Sequence, residues 1–137
     1  MLNNKLNSNK MVELYHISER LFFEFSLNYH NEDGDLSDEN TKGIYFSEKP
    51  IPYYPNRFVY KCQVLLNDSD IVKKYDKFAI GAEKYGEVLV TDTSRINIKE
   101  IAEVSPLEQE TYHSLFREDK DWFEQFKIIF KNNKICL

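Results

Sequence analysis

The chain has 137 residues, a formal net charge of −5 and an aromatic content of 15%. This length fits one domain with a genuine hydrophobic core, and the composition excludes a chain that is disordered throughout. The excess of acidic residues argues against a general nucleic-acid coat protein, whose phosphate contacts would favour a basic surface.

Residues 1–10 are rich in Asn and Lys and are predicted to form a loose tail, so that a single domain covers residues 11–137. The tail lacks the apolar stretch of a signal peptide, and no window approaches the roughly 18 consecutive apolar residues of a membrane span. Cys62 and Cys136 are too few for a disulfide framework and are interpreted as reduced thiols. The sequence therefore predicts a soluble, cytoplasmic protein, acting either in its own cell or in the cytoplasm of a host or target cell.

The first half of the chain is predicted to be mostly extended. Residues 11–16 alternate as a strand does, and residues 43–47 form a short apolar strand. Residues 21–25 are an apolar cluster that fits either a short strand or one helical turn. Residues 28–42 are rich in acidic side chains and predict a solvated loop. The alternative is a mobile flap over a ligand. The best strand is 57–66, because β-branched and aromatic residues dominate it.

The second half ends in helices. Residues 67–70 can cap a short helix through Tyr75, and residues 88–91 and 96–101 are predicted strands. Ser105 is a helix N-cap followed by Pro and by a Glu that can complete a capping box, and apolar spacing over 122–130 predicts an amphipathic helix. Strands followed by helices predict an α+β domain around an antiparallel or mixed sheet.

Three short segments place a polar or aromatic residue near the end of an apolar strand: Leu14-Tyr-His-Ile-Ser18, Gly43-Ile-Tyr-Phe-Ser47 and Gly86-Glu-Val-Leu-Val90. Strand ends in a small sheet can converge on one cleft. His16, Tyr45 and Glu87 are therefore candidates for one site, and these three side-chain types together suit the binding of a nucleotide sugar and the cleavage of its glycosidic bond.

These segments, in this order, resemble the H-Y-E ADP-ribosyltransferases, which include diphtheria-toxin-like enzymes and the catalytic domains of poly(ADP-ribose) polymerases. The first segment resembles the H-G-S/T motif of the family, and the second resembles its G-x-Y-F motif. The third resemblance is to the strand that carries the catalytic Glu and to the strand after it, matched here by Glu87 to Asp92 and by Arg95 to Lys99. The resemblance implies an ADP-ribosyltransferase-like fold of mixed or antiparallel sheets with C-terminal helices.

The resemblance also implies a role for each residue around NAD, which is the substrate of the family. His16 would hydrogen-bond the adenosine-side ribose, and Tyr45 would stack on the nicotinamide ring. Either Tyr54 or Tyr53 would form the second wall of the nicotinamide pocket. Glu87 would hydrogen-bond the 2′-hydroxyl of the nicotinamide ribose, where a fixed carboxylate stabilises an oxocarbenium-like transition state.

Five further residues complete the implied site. Ser18 belongs to the NAD-binding set, and Ser47 and the backbone of Ile17 are candidates to bind the nicotinamide amide. Glu83 and Tyr85, in the loop before the catalytic Glu, would contact the acceptor of ADP-ribose. Ile17 stands where many members of the family have Gly, and Tyr85 stands where the arginine-modifying branch has Glu.

The expected function is mono-ADP-ribosylation of a macromolecular target, favoured to be a protein, by a small stand-alone enzyme similar to bacterial or phage effectors. Water as acceptor would make it an NAD glycohydrolase, and a nucleobase would make it a nucleic-acid modifier. The alternative of another class is a binding or inhibitor module without turnover. No metal is expected, because His30 and His113 show no ligand spacing with each other or with the cysteines. Oligomeric state is not indicated by the sequence.

Overall fold

The computed structural model of the chain describes residues 10–26, 43–50, 55–66, 71–72, 88–118 and 120–136. Within these ranges the chain forms six strands, two α-helices and one short 3-10 helix at Thr93–Arg95, so the predicted α+β class is confirmed. The elements in chain order are β1 (Lys10–Ser18), β2 (Ile44–Phe46), β3 (Phe58–Leu66), β4 (Ile71–Val72), β5 (Val88–Val90), β6 (Ile96–Glu103), α1 (Pro106–Arg117) and α2 (Trp122–Asn132).

One sheet has the strand order β1-β3-β6, and each neighbouring pair is antiparallel. The strand predicted best from sequence, β3, lies at its centre. The register pairs His16 of β1 with Tyr60 of β3, which sets an aromatic ring beside the imidazole. The pairing of β3 with β6 shifts between Lys61 and Cys62, and such a bulge increases the local twist of a sheet.

The other sheet has the order β2-β5-β4, again antiparallel. Gly43 permits the close approach of β2 to β5, because a Cβ there would lie 2.9 Å from the Val90 carbonyl oxygen. The predicted helix through Tyr75 is wrong for Ile71 and Val72, which form β4. The main chain of these two residues pairs with strand β5, and that long-range pairing outweighs the capping signal of the residues before them.

The two sheets face each other across an apolar core. The residues that fill it alternate along β1, β2 and β3, as expected when one face of a strand is buried. Its fully or nearly fully buried members include Leu14, Ile44, Phe46, Tyr60, Cys62, Val64, Val88, Val90 and Ile101. Burial also raises the pKa of the Cys62 thiol above its usual range, so this cysteine is a neutral core residue.

The opposite face of the β1-β3-β6 sheet is covered by the two helices. Tyr15 and Ala102 of the sheet pack there against a cluster from the helices: Tyr112, Trp122, Phe126, Ile129 and Phe130. The predicted capping box is present, since Glu108 N donates to Ser105 Oγ at 3.2 Å and Ser105 N donates to Glu108 Oε1 at 3.0 Å. No helix within the described ranges is long and apolar enough to span a membrane.

Candidate functional site

His16 connects the first two sequence motifs directly. Its Nδ1–H donates a hydrogen bond of 2.7 Å to the main-chain carbonyl of Tyr45. Because a carbonyl oxygen only accepts, Nδ1 carries the proton, and in the neutral ring Nε2 is the acceptor nitrogen. The end of β1 and the middle of β2 are thus held together by the imidazole, with the ring orientation fixed by a main-chain group.

Aromatic rings enclose this imidazole, which is only 2% exposed. The ring centroid of Phe25 lies 5.3 Å from that of His16, and the Phe46 centroid lies at 5.7 Å. Tyr60 follows at 6.0 Å and Phe22 at 6.3 Å. Two of these rings come from the sheets, and the other two come from the segment that follows β1.

The hydroxyl of Tyr60 fastens that segment. It donates to the Arg20 carbonyl at 2.9 Å and accepts from the Phe22 N–H at 2.7 Å. The Tyr60 ring also stacks on the Phe22 ring, with centroids 4.2 Å apart and planes 13° from parallel. Tyr60 therefore binds the segment over His16 in two ways, through its backbone at Arg20 and Phe22 and through the Phe22 ring.

Removal of the Tyr60 hydroxyl is expected to lower the free energy of unfolding by about 1–3 kcal/mol, because Tyr60→Phe leaves a buried acceptor and a buried donor without their partner. Tyr112→Phe is the matched control: within the described residues Tyr112 Oη has no hydrogen-bond partner, although the residue is fully buried. Tyr112→Phe should leave stability unchanged or raise it. Urea unfolding of both variants measures the difference, and equal losses would contradict it.

The phenol of Tyr45 lies away from His16. Ile44 and Phe46 belong to the core between the sheets, so strand alternation directs the half-buried Tyr45 to the other face of β2. Leu89 pairs with Tyr45, and Ser47 shares its face by the same alternation. Thus His16 contacts the backbone of Tyr45. The Tyr45 ring and the Ser47 side chain lie together on the face of β2 that is turned away from the core between the sheets.

Ser47 extends β2 onto the edge of β1. Tyr15 N donates to Ser47 O at 2.8 Å, and Ser47 N donates to Tyr15 O at 2.9 Å. Residues two apart in a strand direct their N–H and C=O groups to the same edge. The N–H and C=O of Ile17 therefore face the same edge, on the Tyr45 side of Ser47, and no described residue forms a backbone hydrogen bond with them there.

Ser18 has a local structural contact. Its side chain is buried, and its hydroxyl accepts from Arg20 N at 3.1 Å, which shapes the turn after β1. The side chain of Ile17, on the other face of β1 from His16, packs in part against the helix-side core. The large side chain at this position is therefore accommodated away from the imidazole.

The remaining predicted site residues lie outside the described residues, namely Tyr53, Tyr54, Glu83, Tyr85 and Glu87. The residue that follows the proposed catalytic carboxylate in the chain, Val88, pairs with Phe46. Phe46 is one of the rings around His16. The described start of β5 is therefore close to both of the other motif segments.

Sequence reasoning missed Tyr60, Phe22 and Phe25. Each was interpreted as an ordinary strand or cluster residue, and the sequence carries no signal for their role, because the register that sets Tyr60 opposite His16 is visible only in the structure. In the part of the chain that the structure describes, no group of three or more His, Cys, Asp or Glu side chains is arranged to hold a metal ion.

No protein-family model, curated protein or solved structure matches this chain. The class that the structure defines is a mixed α+β protein with two antiparallel sheets and two C-terminal helices. Any narrower assignment depends on the three motifs and on the geometry around His16 and Ile17.

Proposed function

We propose that this protein is a mono-ADP-ribosyltransferase that uses NAD and modifies a macromolecular target, favoured to be a protein. The observation that carries the proposal is the edge of β1 at Ile17, which offers one N–H donor and one C=O acceptor beside Ser47. The carboxamide of nicotinamide carries the complementary pair, an oxygen that accepts and an amino group that donates. Paired hydrogen bonds of this kind fix the orientation of a planar ligand.

The Tyr45 ring supports the same pocket. Tyr45 and Ser47 share a face of the extended chain, so a flat ring bound at the Ile17 edge is within reach of the phenol. Aromatic side chains bind planar rings by offset or edge contacts, in addition to the area that they bury. Tyr54, or its neighbour Tyr53, is proposed as the opposite wall.

His16 is proposed to bind the adenosine-side ribose. The Tyr45 carbonyl holds Nδ1, so the neutral ring presents Nε2 as an acceptor for a ribose hydroxyl. The imidazole is covered by Phe22 and Phe25, and ribose binding therefore requires that this cover moves.

Glu87 is proposed to stabilise the transition state. The bond between ribose C1′ and the nicotinamide nitrogen breaks, and nicotinamide leaves with the electron pair, so positive charge develops on the sugar. An ionised carboxylate near the ribose stabilises this charge more than it stabilises the neutral sugar of the ground state. A nucleophile of the target then bonds to C1′ and loses its proton to solvent.

The acceptor is proposed to contact Glu83 and Tyr85. Because the arginine-modifying branch has Glu at the position of Tyr85, arginine is not the favoured acceptor. The reaction is proposed to take place in a cytoplasm, where NAD is available. Both cysteines of the chain are free, as is usual in a reducing compartment.

The proposal is tested by incubating the protein with cell lysate and NAD that is labelled on the adenylate phosphate. We expect the label to move to a macromolecule that protease destroys and nuclease does not, with equimolar nicotinamide release. Nuclease-sensitive label would instead identify a nucleic-acid acceptor, and nicotinamide release without transfer would identify a glycohydrolase. Absence of both NAD binding and nicotinamide release would overturn the proposal and favour a binding module.

A further inference from the structure

The segment over His16 has a consequence for substrate access. We propose that Arg20–Phe25 is a cover that must open before the adenosine-side ribose reaches His16, and that the Tyr60 hydroxyl holds the cover closed. The inference rests on the proposed NAD-dependent function for the identity of the ligand. It makes Tyr60 a positioning residue for NAD binding.

The need for opening follows from burial. His16 is 2% exposed, so its ring has no room for a ribose hydroxyl while Phe22 and Phe25 remain in place. The Phe46 and Tyr60 rings, which also lie beside the imidazole, belong to strands of the two sheets. Strands held by ladder hydrogen bonds on a packed core open at far greater cost than a short connecting segment.

The segment contacts the core through Phe22 and Phe25, whereas three of its other side chains face solvent. Phe23 is 64% exposed and Leu21 is 42% exposed, so neither residue packs into the core. Glu24 is exposed as well. The hydroxyl of Tyr60 binds the backbone of this segment at two points, Arg20 and Phe22, and so helps to keep it over the imidazole.

Opening of the cover should change the affinity for NAD but not the affinity for nicotinamide. A ligand that binds only the open state has its apparent affinity reduced by the fraction of molecules that are open. Weakening the closed state should thus tighten NAD binding. In this proposal nicotinamide alone binds the main-chain groups of Ile17 and makes no contact with the imidazole, so its affinity should not depend on the cover.

The experiment compares wild type, Tyr60→Phe and the hydroxyl-deletion control Tyr112→Phe. Amide hydrogen exchange of residues 20–25 is measured without ligand, and the dissociation constants of NAD and of nicotinamide are measured by titration. For Tyr60→Phe we expect exchange to accelerate roughly tenfold and NAD to bind about three- to tenfold more tightly, because the two hydrogen bonds lost with the hydroxyl make a modest net contribution to the closed state. Tyr112→Phe should match wild type in all three measurements, and nicotinamide affinity should be equal in all three proteins.

Phe22→Ala is the second variant, because it removes a ring of the cover and leaves the sheets intact. It decides the question if Tyr60→Phe does not fold, and it should change NAD affinity in the same direction. Unchanged exchange in Tyr60→Phe would overturn the role of the hydroxyl. Faster exchange in Tyr60→Phe with unchanged NAD affinity would overturn the proposal that the cover controls NAD binding. An equal change in the affinity for nicotinamide would overturn it as well.

The inference and the proposed function fail in different ways. If wild type binds no NAD, the proposed function and the gating of NAD both fall, but the exchange rates still decide whether the Tyr60 hydroxyl holds the segment. If wild type binds NAD and both variants bind it with wild-type affinity, only the gating inference is overturned.

Discussion

Glu87→Gln is expected to slow nicotinamide release by about 10²–10³-fold, the usual effect of removing one well-aimed electrostatic contact from an active site. The substitution keeps the shape of the side chain and removes the charge that would stabilise the ribosyl cation. NAD binding should change little, because the ribose is uncharged in the ground state and gains less from the carboxylate than the cationic sugar of the transition state does. The comparison is made on kcat and on the dissociation constant of NAD.

Glu110→Gln is the control for this substitution, since Glu110 is exposed on α1 and is remote in sequence from all three motifs. It should keep wild-type nicotinamide release. Near-normal turnover in Glu87→Gln, with a folded protein, would remove the carboxylate from the mechanism.

Replacement of Ile17 by Pro is expected to weaken nicotinamide binding about 10- to 100-fold. Proline removes the N–H that we propose donates to the carboxamide, and a lost hydrogen bond of this kind is worth about 1–3 kcal/mol when its partner stays buried. The same N–H faces the open edge of β1, so no ladder bond to β3 is lost, and proline is tolerated at such edge positions.

Ile17→Ala is the matched control, because it loses the side chain and keeps the N–H. Both variants should lose some stability from the helix-side core, and only Ile17→Pro should lose nicotinamide affinity. Equal affinities for nicotinamide, measured by titration on proteins that remain folded, would show that the Ile17 N–H is not used.

The strands and helices that follow from local pattern were predictable. The alternation of β1, the β-branched run of β3 and the capping box at Ser105 act over a few residues, so the sequence carries their signal. The strand β4 was not predictable in this way. Ile71 and Val72 form a strand because β5 lies beside them, and no local feature of two residues reports such a distant partner.

The candidate site, too, was predictable from the sequence only in part. The motifs named His16 and Tyr45, but only the three-dimensional arrangement shows that the imidazole binds the Tyr45 carbonyl and that the phenol lies on the other face of β2. The contribution of Tyr60 was hidden for the same reason. Its partners at Arg20 and Phe22 are about forty residues away in sequence, and a tyrosine inside a strong strand pattern is ordinarily interpreted as core.

An experimental structure of the protein with nicotinamide bound decides whether the edge of β1 at Ile17, beside Ser47, binds the carboxamide. We expect the carboxamide oxygen to accept from Ile17 N and the amide nitrogen to donate to Ile17 O, each at about 2.7–3.2 Å, with the ring against Tyr45. Nicotinamide bound at another surface, or an Ile17 edge paired with another strand of the chain, would contradict it.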